Sequence, residues 1–519
     1  MTTSHIPNTG NSFLYDLKSG FLVFLIALPL CLGIASASGF PPIAGLTTAI
    51  IGGLMVSWFG GASLSIKGPA AGLIVIALGA VMELGGGDMV LGYQRTLAVG
   101  VVASICQFLF ARFKMANLGI AMSKSVVHGM LAAIGLIIIA KQIHVGLGVT
   151  PHGGETLELI EEIPHSIMHA NIPVTIICAV SLAILFLWPR IPVNFLRNTP
   201  SQLIVLLVTV PMAAAFGIAD PAYFVNLPEN LLDGFAFPDF SVVLSAASIK
   251  YIVMFALVGS IESTLSVVAV DSIVRDKPRS DLNRDLMGVS VGNFASSMLG
   301  GLPMISEIVR SKANIDADAR SHRSNFFHGL FLLLFVIAVP GLLKMIPMAA
   351  LAAMLILTGS RLAAIKEFIH ARDVGMDQFF LFLTTFLVTI LTDLLIGVAV
   401  GLVLKIIFHL IRGSSMKSLF GVRVEKTEYA DRIVLKVIGD AAFPSLLKIN
   451  ALINQMPEEE LQRLRIDLTE ARLIDHTFLS GLGMLINNHV DPKSAIVGLE
   501  TFRSISDHPQ ATHLTTKAH

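Results

Sequence analysis

Two stretches set glycine and proline beside charged or hydroxyl side chains within apolar sequence. They are Leu64-Ser65-Ile66-Lys67-Gly68-Pro69-Ala70-Ala71-Gly72 and Gly300-Gly301-Leu302-Pro303-Met304-Ile305-Ser306-Glu307-Ile308-Val309-Arg310. Each break leaves a short helix whose first amides have no partner within the helix. At the positive end of a helix dipole, such amides can hold an anion without a full countercharge. Gly68 permits close backbone approach, and Pro69 at a first turn gives up no needed donor. The amides from Ala70 through Ala71 to Gly72 are therefore the expected anion donors. Small residues also mediate close helix packing, but recurrence of the break in the second stretch favours a binding site.

The elements that must position these breaks are membrane helices. The 519 residues are 54% hydrophobic and 14% charged, with a mean hydropathy of +0.76, too apolar for a soluble enzyme of this length. About fourteen apolar segments are expected, centred near residues 27, 50, 74, 103, 133, 180 and 208, then 260, 292, 309, 333, 352, 384 and 402. A polar stretch, 218–248, with Asp220, Glu229, Asp233 and Asp239, reads as a linker between two halves. Lys and Arg gather in alternate connections, such as Arg112, Lys114 and Lys124, then Arg190 and Arg197, which places both termini on the cytoplasmic side. Seven segments per half make the halves inverted, so segments three and ten, which carry the breaks, become symmetry partners that meet at the membrane midplane. The first apolar run, Phe21 to Ala37, leads directly into Gly39-Phe40-Pro41-Pro42 and another span, so no cleavable leader is expected.

Charged groups within the spans are the remaining chemistry. Glu262, in Gly259-Ser260-Ile261-Glu262-Ser263, lies in apolar segment eight. An intramembrane carboxylate is costly enough to indicate function, either cation or proton binding or an ion pair with Lys67 or Arg310. Lys67 is expected to be compensated by Glu307 or Glu262. Asp393 falls at an outer turn and reads as a helix cap, while His128 and His328 read as polar packing groups. Cys31, Cys106 and Cys178 lie in apolar runs and read as packing residues rather than disulfides or metal ligands. No metal-spaced cluster, catalytic triad or phosphate fingerprint appears, so neither an enzyme nor a cofactor is expected. Equal counts of 36 acidic and 36 basic residues, with no basic aromatic stripe, give no reason to expect nucleic acid.

From Gly421 the pattern becomes that of a small soluble α/β domain. Strands are expected at 432–437, 464–468 and 495–499, and helices at 445–455 and 479–488. The last residues, 507–519, read as a polar, disordered tail.

Taken in order, these motifs resemble the SulP family of inorganic anion transporters. The resemblance rests on Leu28-Pro29-Leu30, Gly39-Phe40-Pro41-Pro42-Ile43-Ala44-Gly45-Leu46, Gly68-Pro69, Gly301-Leu302-Pro303, Arg310-Ser311 and Asn314. The tail motifs Ile466-Asp467-Leu468-Thr469, Leu473-Ile474-Asp475-His476-Thr477 and Ser480-Gly481-Leu482 resemble the STAS domain that follows the membrane domain in that family. The resemblance implies a seven-plus-seven inverted-repeat fold with core and gate domains, over 13–412, after a cytoplasmic tail, 1–12. A STAS domain would cover 421–506.

The resemblance also implies an anion held between half-helices three and ten beside segments one and eight, with Leu30, Ile34 and Val309 lining it and Arg310 as fixed cation. Arg310 could instead be a cytoplasmic-end residue obeying topology. Glu262 matches an acidic sodium ligand of bicarbonate-transporting relatives, with Ser266 one turn on and Ser306 nearby, so the coupling ion would be Na+ or H+. Lys67, Glu307 and Lys312 depart from the family's small residues. The STAS motif residues are Asp467, Asp475 and Thr477; in phosphoswitch relatives a Ser follows the second Asp, whereas here Asp475 is followed by His476 and then Thr477. A folded cytoplasmic module for assembly, with a cytoplasmic partner of its own, is therefore preferred to a phosphoswitch. The implied function is secondary transport of bicarbonate or sulfate by a homodimer in a bacterial-type inner (plasma) membrane. An exchanger or channel of the same family is the near alternative. A nucleobase permease would lack the tail, and a membrane-anchored STAS sensor would not need fourteen spans.

Overall fold

A computed structural model describes residues 9–117, 123–151, 156–192, 199–227, 235–274, 279–453, 455–486, 495–499 and 502. The chain divides into two compact units, residues 1–116 with 134–362 and residues 117–133 with 363–519.

The first unit holds α1 (Thr9–Ala37), α2 (Pro42–Leu54), strand β1 (Ile66–Pro69), α3 (Ile74–Gly85) and α4 (Met89–Arg112). The helix α5 (Lys124–Leu147) passes from the second unit into the first and is followed by α6 (Thr156–Met168), α7 (Ile172–Leu187) and α8 (Ser201–Ala215). The second half of this unit comprises α9 (Ala246–Ile273), α10 (Leu282–Met298), strand β2 (Met304–Glu307), α11 (Ile308–Asp316), α12 (Arg323–Ala338) and α13 (Met348–Leu362). Local chemistry sets several starts. Pro42 occupies the first turn of α2, Asp88 caps α4 through the Val90 and Leu91 amides, and Asp281 caps α10.

A helix lies at each of the fourteen expected centres, but segments three and ten are short. Segment ten is the nine-residue α11 rather than a full span. Among the described residues, seven helices are long and apolar enough to cross a membrane alone. The described part of the expected linker does more than connect: the Asp239 carboxylate pairs with Arg95 at 3.3 Å, and its amide donates to Gln94. Apolar packing in this unit is centred on α1, where Phe24, Ala27, Leu28 and Leu32 meet Ile43 and Leu46 of α2 and Leu332 and Val336 of α12.

The second unit contains the beginning of α5, α14 (Ile365–Val374), α15 (Met376–Leu391) and α16 (Leu394–Ile411). Asp393 caps α16 by accepting from the Ile396 amide at 2.9 Å, as expected. The α/β region follows: β3 (Arg423–Glu428), β4 (Ile433–Ala441), α17 (Phe443–Ile453), β5 (Leu464–Asp467), β6 (Ala471–Ile474), α18 (His476–Ile486) and β7 (Ile496–Val497). β3 pairs antiparallel with β4, while β5 and β6 join β4, and β7 joins β5, in parallel. Two of these strands are absent from the sequence reading. β3 is almost wholly exposed and charged, and β6 is only four residues long. The expected tail at 507–519 lies outside the described residues.

Candidate functional site

The two breaks are hydrogen-bonded to each other. β1 and β2 form an antiparallel pair in which Ile66 faces Glu307, Lys67 faces Ser306, Gly68 faces Ile305 and Pro69 faces Met304. Pairing of two extended segments satisfies backbone groups that would otherwise be orphaned at membrane depth. Each strand then turns into its half-helix, β1 through a 3-10 turn at Ala71–Leu73 into α3, and β2 directly into α11.

Around this ladder a charged cluster collects. Arg310 is 1% exposed, yet its Nε and Nη1 have no hydrogen-bond partner. A Cβ built on Gly68 would overlap Arg310 Nη1, so glycine at 68 makes room for the guanidinium. The Cys31 thiol on α1 lies against the same guanidinium. Glu307, at the start of α11, faces the Ala71 amide, and Glu262 of α9 faces the Gly72 amide. A Cβ on Gly72 would overlap the Glu262 carboxyl, so this glycine also admits a side chain. Both glutamates are half-buried, but Oε2 of Glu262 and Oε1 of Glu307 are shut from solvent without partners. His328 of α12, within electrostatic range of Arg310, is fully buried with both ring nitrogens unpartnered. Packing accounts for its burial but not for those nitrogens.

Lys67 is compensated, but by neither Glu307 nor Glu262. Its Nζ lies 2.8 Å from Asp285 Oδ1 and donates to Ser306 Oγ at 2.8 Å, and Ser306 donates in turn to Asp285 Oδ2 at 2.8 Å. The Ala62 amide completes the network at 3.1 Å from Asp285 Oδ1. Sequence reasoning missed Asp285 because it lies in the charged stretch Asp281-Leu282-Asn283-Arg284-Asp285, which reads as a solvated helix start. The Ser306 hydroxyl, expected near a coupling ion, is thus engaged by Lys67 and Asp285.

The other expected residues fall at varied distances from the cluster. Ala70 and Ile34 are 2% exposed, whereas Val309 is 42% exposed. Ser266 is buried on α9, and its neighbour Ser263 accepts from the Ser306 amide. Leu30 packs instead with Val174, Ile177 and the Ala349–Met354 face of α13. His128 contacts Glu367 at 2.8 Å.

In the second unit, Asp475 and Thr477 are 1% and 2% exposed. Lys405 of α16 lies 2.8 Å from Asp475 Oδ2 and donates to Thr477 Oγ1 at 2.7 Å. Burial pushes the Asp475 carboxyl up, but Lys405 and His409 outweigh it and hold it at about 2. Burial lowers His476 to about 4, against the opposing pull of Asp475. Asp467 closes its own turn by accepting from the Thr469 amide and hydroxyl.

Two broken helices paired through short strands inside an apolar helical unit define the architecture of an inverted-repeat membrane carrier. The Sulfate permease family model matches residues 13–385, and the chain belongs to that family. It is 26% identical over 506 residues to "Putative sulfate transporter YvdB" of Bacillus subtilis, covering 94% of this chain and 92% of the relative. The solved transmembrane domain of a cyanobacterium bicarbonate transporter, BicA, matches with TM-score 0.65 and 22% identity, over 76% of this chain and 98% of that one. The structure of the murine Slc26a9 anion transporter in its inward-facing state matches with TM-score 0.71 and 15% identity, over 93% and 86%. The chain is therefore an integral membrane anion transporter with a seven-plus-seven fold, not an enzyme, and its C-terminal sheet region is consistent with a STAS domain.

Proposed function

We propose that this protein carries a small inorganic oxyanion, bicarbonate or sulfate, across the bacterial-type inner membrane as a homodimer with cytoplasmic termini. One observation carries the reading: Arg310 is 1% exposed with two unpartnered N–H groups beside the paired half-helices. A buried cation with free donors is expensive unless an anion completes it. Gly68, Pro69, Ala70, Ala71, Val309 and Ile34 shape the site, and movement of a core domain against a gate domain exposes it to each side in turn. Leu30 belongs to the moving boundary rather than to the anion.

The coupling ion is Na+ or H+, with Glu262 and Ser266 on α9 as the groups that respond to it. The C-terminal region acts as a STAS module for assembly and for a cytoplasmic partner. Burial of Thr477 under Lys405 supports this over a phosphoswitch. The test is uptake of labelled bicarbonate and sulfate into proteoliposomes with an imposed sodium or proton gradient. Uptake that accelerates with one gradient supports coupled transport. Fast flux indifferent to both gradients points to the exchanger or channel alternative, and no flux of either anion refutes the proposal.

A further inference from the structure

Orphaned donors and orphaned acceptors occur on residues that interact electrostatically beside the paired strands. Arg310 offers Nε and Nη1, while Glu262 offers Oε2 and Glu307 offers Oε1, all without partners in the protein. The two carboxyls lie against the successive amides of Ala71 and Gly72, so they are neighbours at the start of half-helix three. An anion that satisfies Arg310 must accept hydrogen bonds. An anion that also satisfies a carboxylate must donate one.

Fully deprotonated oxyanions cannot do both. Sulfate and nitrate present acceptors only, and a lone pair set against a carboxylate is repelled. A hydrogen-bearing oxyanion of the bicarbonate type accepts from arginine with two oxygens and donates through its O–H. Sites built around a substrate hydroxyl reject analogues that lack it, because their own polar groups are then left unpaired.

Resting on the anion-carrier reading above, we propose that Glu307 is a specificity-determining residue that accepts the O–H of a monovalent, hydrogen-bearing oxyanion and so excludes fully deprotonated ones. Glu307 is suited to this because it opens α11 three residues before Arg310, and because its side chain makes no capping hydrogen bond to its own helix.

Nitrate is the informative probe, being planar and monovalent like bicarbonate but without the hydrogen. Dissociation constants for bicarbonate, nitrate and sulfate would be measured by calorimetry on the purified full-length protein in sealed cells. The comparison set is wild type, Glu307→Gln, Glu307→Ser and Arg310→Gln, each matched for melting profile. Wild type is expected to bind bicarbonate at least about tenfold more tightly than nitrate, and both Glu307 variants to shrink that ratio by on the order of tenfold. The proposal is overturned if wild type binds nitrate or sulfate as well as bicarbonate, or if the ratio is unchanged in a folded Glu307 variant. Near-isosteric Gln keeps the test open should Ser unfold the protein. Loss of all three ligands in Arg310→Gln alongside an unchanged ratio in the Glu307 variants would remove only the Glu307 role. Intact binding in Arg310→Gln would instead remove the anion-site reading beneath it.

Discussion

Lys67→Met is the most revealing perturbation of the scaffold that holds the two breaks together. Lys67 and Asp285 are 1% and 2% exposed and 2.8 Å apart, and Ser306 bridges them from the opposite strand. Among the described residues, removing the ammonium leaves Asp285 with the Ser306 hydroxyl and the Ala62 amide as donors. Breaking one side of a buried ion pair costs about 3–5 kcal/mol, because the remaining charge stays desolvated. At about 2 °C per kcal/mol, that is a fall of roughly 6–10 °C in melting temperature. The double variant Lys67→Met with Asp285→Asn removes the stranded charge and is expected to regain at least about half of the loss, about 2 kcal/mol, so the two single losses do not add. The assay is thermal unfolding of detergent-purified full-length protein, at fixed detergent and scan rate, for both single variants and the double. Additive losses, or a Lys67→Met variant within about 1 °C of wild type, would show that the pair does not hold the ladder and would refute the argument.

Gly68→Ala puts a methyl group where Arg310 Nη1 sits, so anion affinity should fall by on the order of tenfold or more with little change in melting temperature; equilibrium binding checks this. Lys405→Met strands Asp475, which is 1% exposed, and should cost about 3 kcal/mol, read as a lower melting temperature. Because Asp475 is held at about 2, below its ordinary 3.8, its contribution of about 2 kcal/mol is present above pH 4 and lost as pH falls towards 2. Lys405→Met should therefore abolish that acid transition in a pH series of melting curves. His476, lowered from 6.5 to about 4, takes up its proton more readily unfolded, so stability should decline by about 3 kcal/mol as pH falls from 6.5 to 4. His476→Asn should flatten that slope in the same series.

The breaks themselves were legible because Gly68-Pro69 and Gly300-Gly301-Leu302-Pro303 interrupt apolar periodicity beside the charged residues Lys67, Glu307 and Arg310. Their pairing was not, since Lys67 and Ser306 are 239 residues apart and neither strand exceeds four residues. The charged cluster was legible in its members but not in its partnerships. Glu262, Glu307, Arg310 and Lys67 stand out in apolar sequence, yet which carboxylate meets Lys67 depends on how α10 packs beneath the ladder. The nearer-looking acids lost to Asp285, which sequence context disguised as a solvated residue. The strands β4 and β5 announced themselves by apolar alternation, whereas β3, reading Arg423-Val424-Glu425-Lys426-Thr427-Glu428, carries only one apolar position.

On the proposed reading, Arg310 uses its unpartnered donors to hold the transported anion beside the paired half-helices. Labelled bicarbonate or sulfate uptake by sealed proteoliposomes containing equal amounts of folded wild type or Arg310→Gln tests it most directly. Clear uptake is expected for wild type and near-background uptake for Arg310→Gln at any substrate concentration, because among the described residues Arg310 is the buried cation with unpartnered donors. Uptake by Arg310→Gln at the wild-type rate and KM would contradict it.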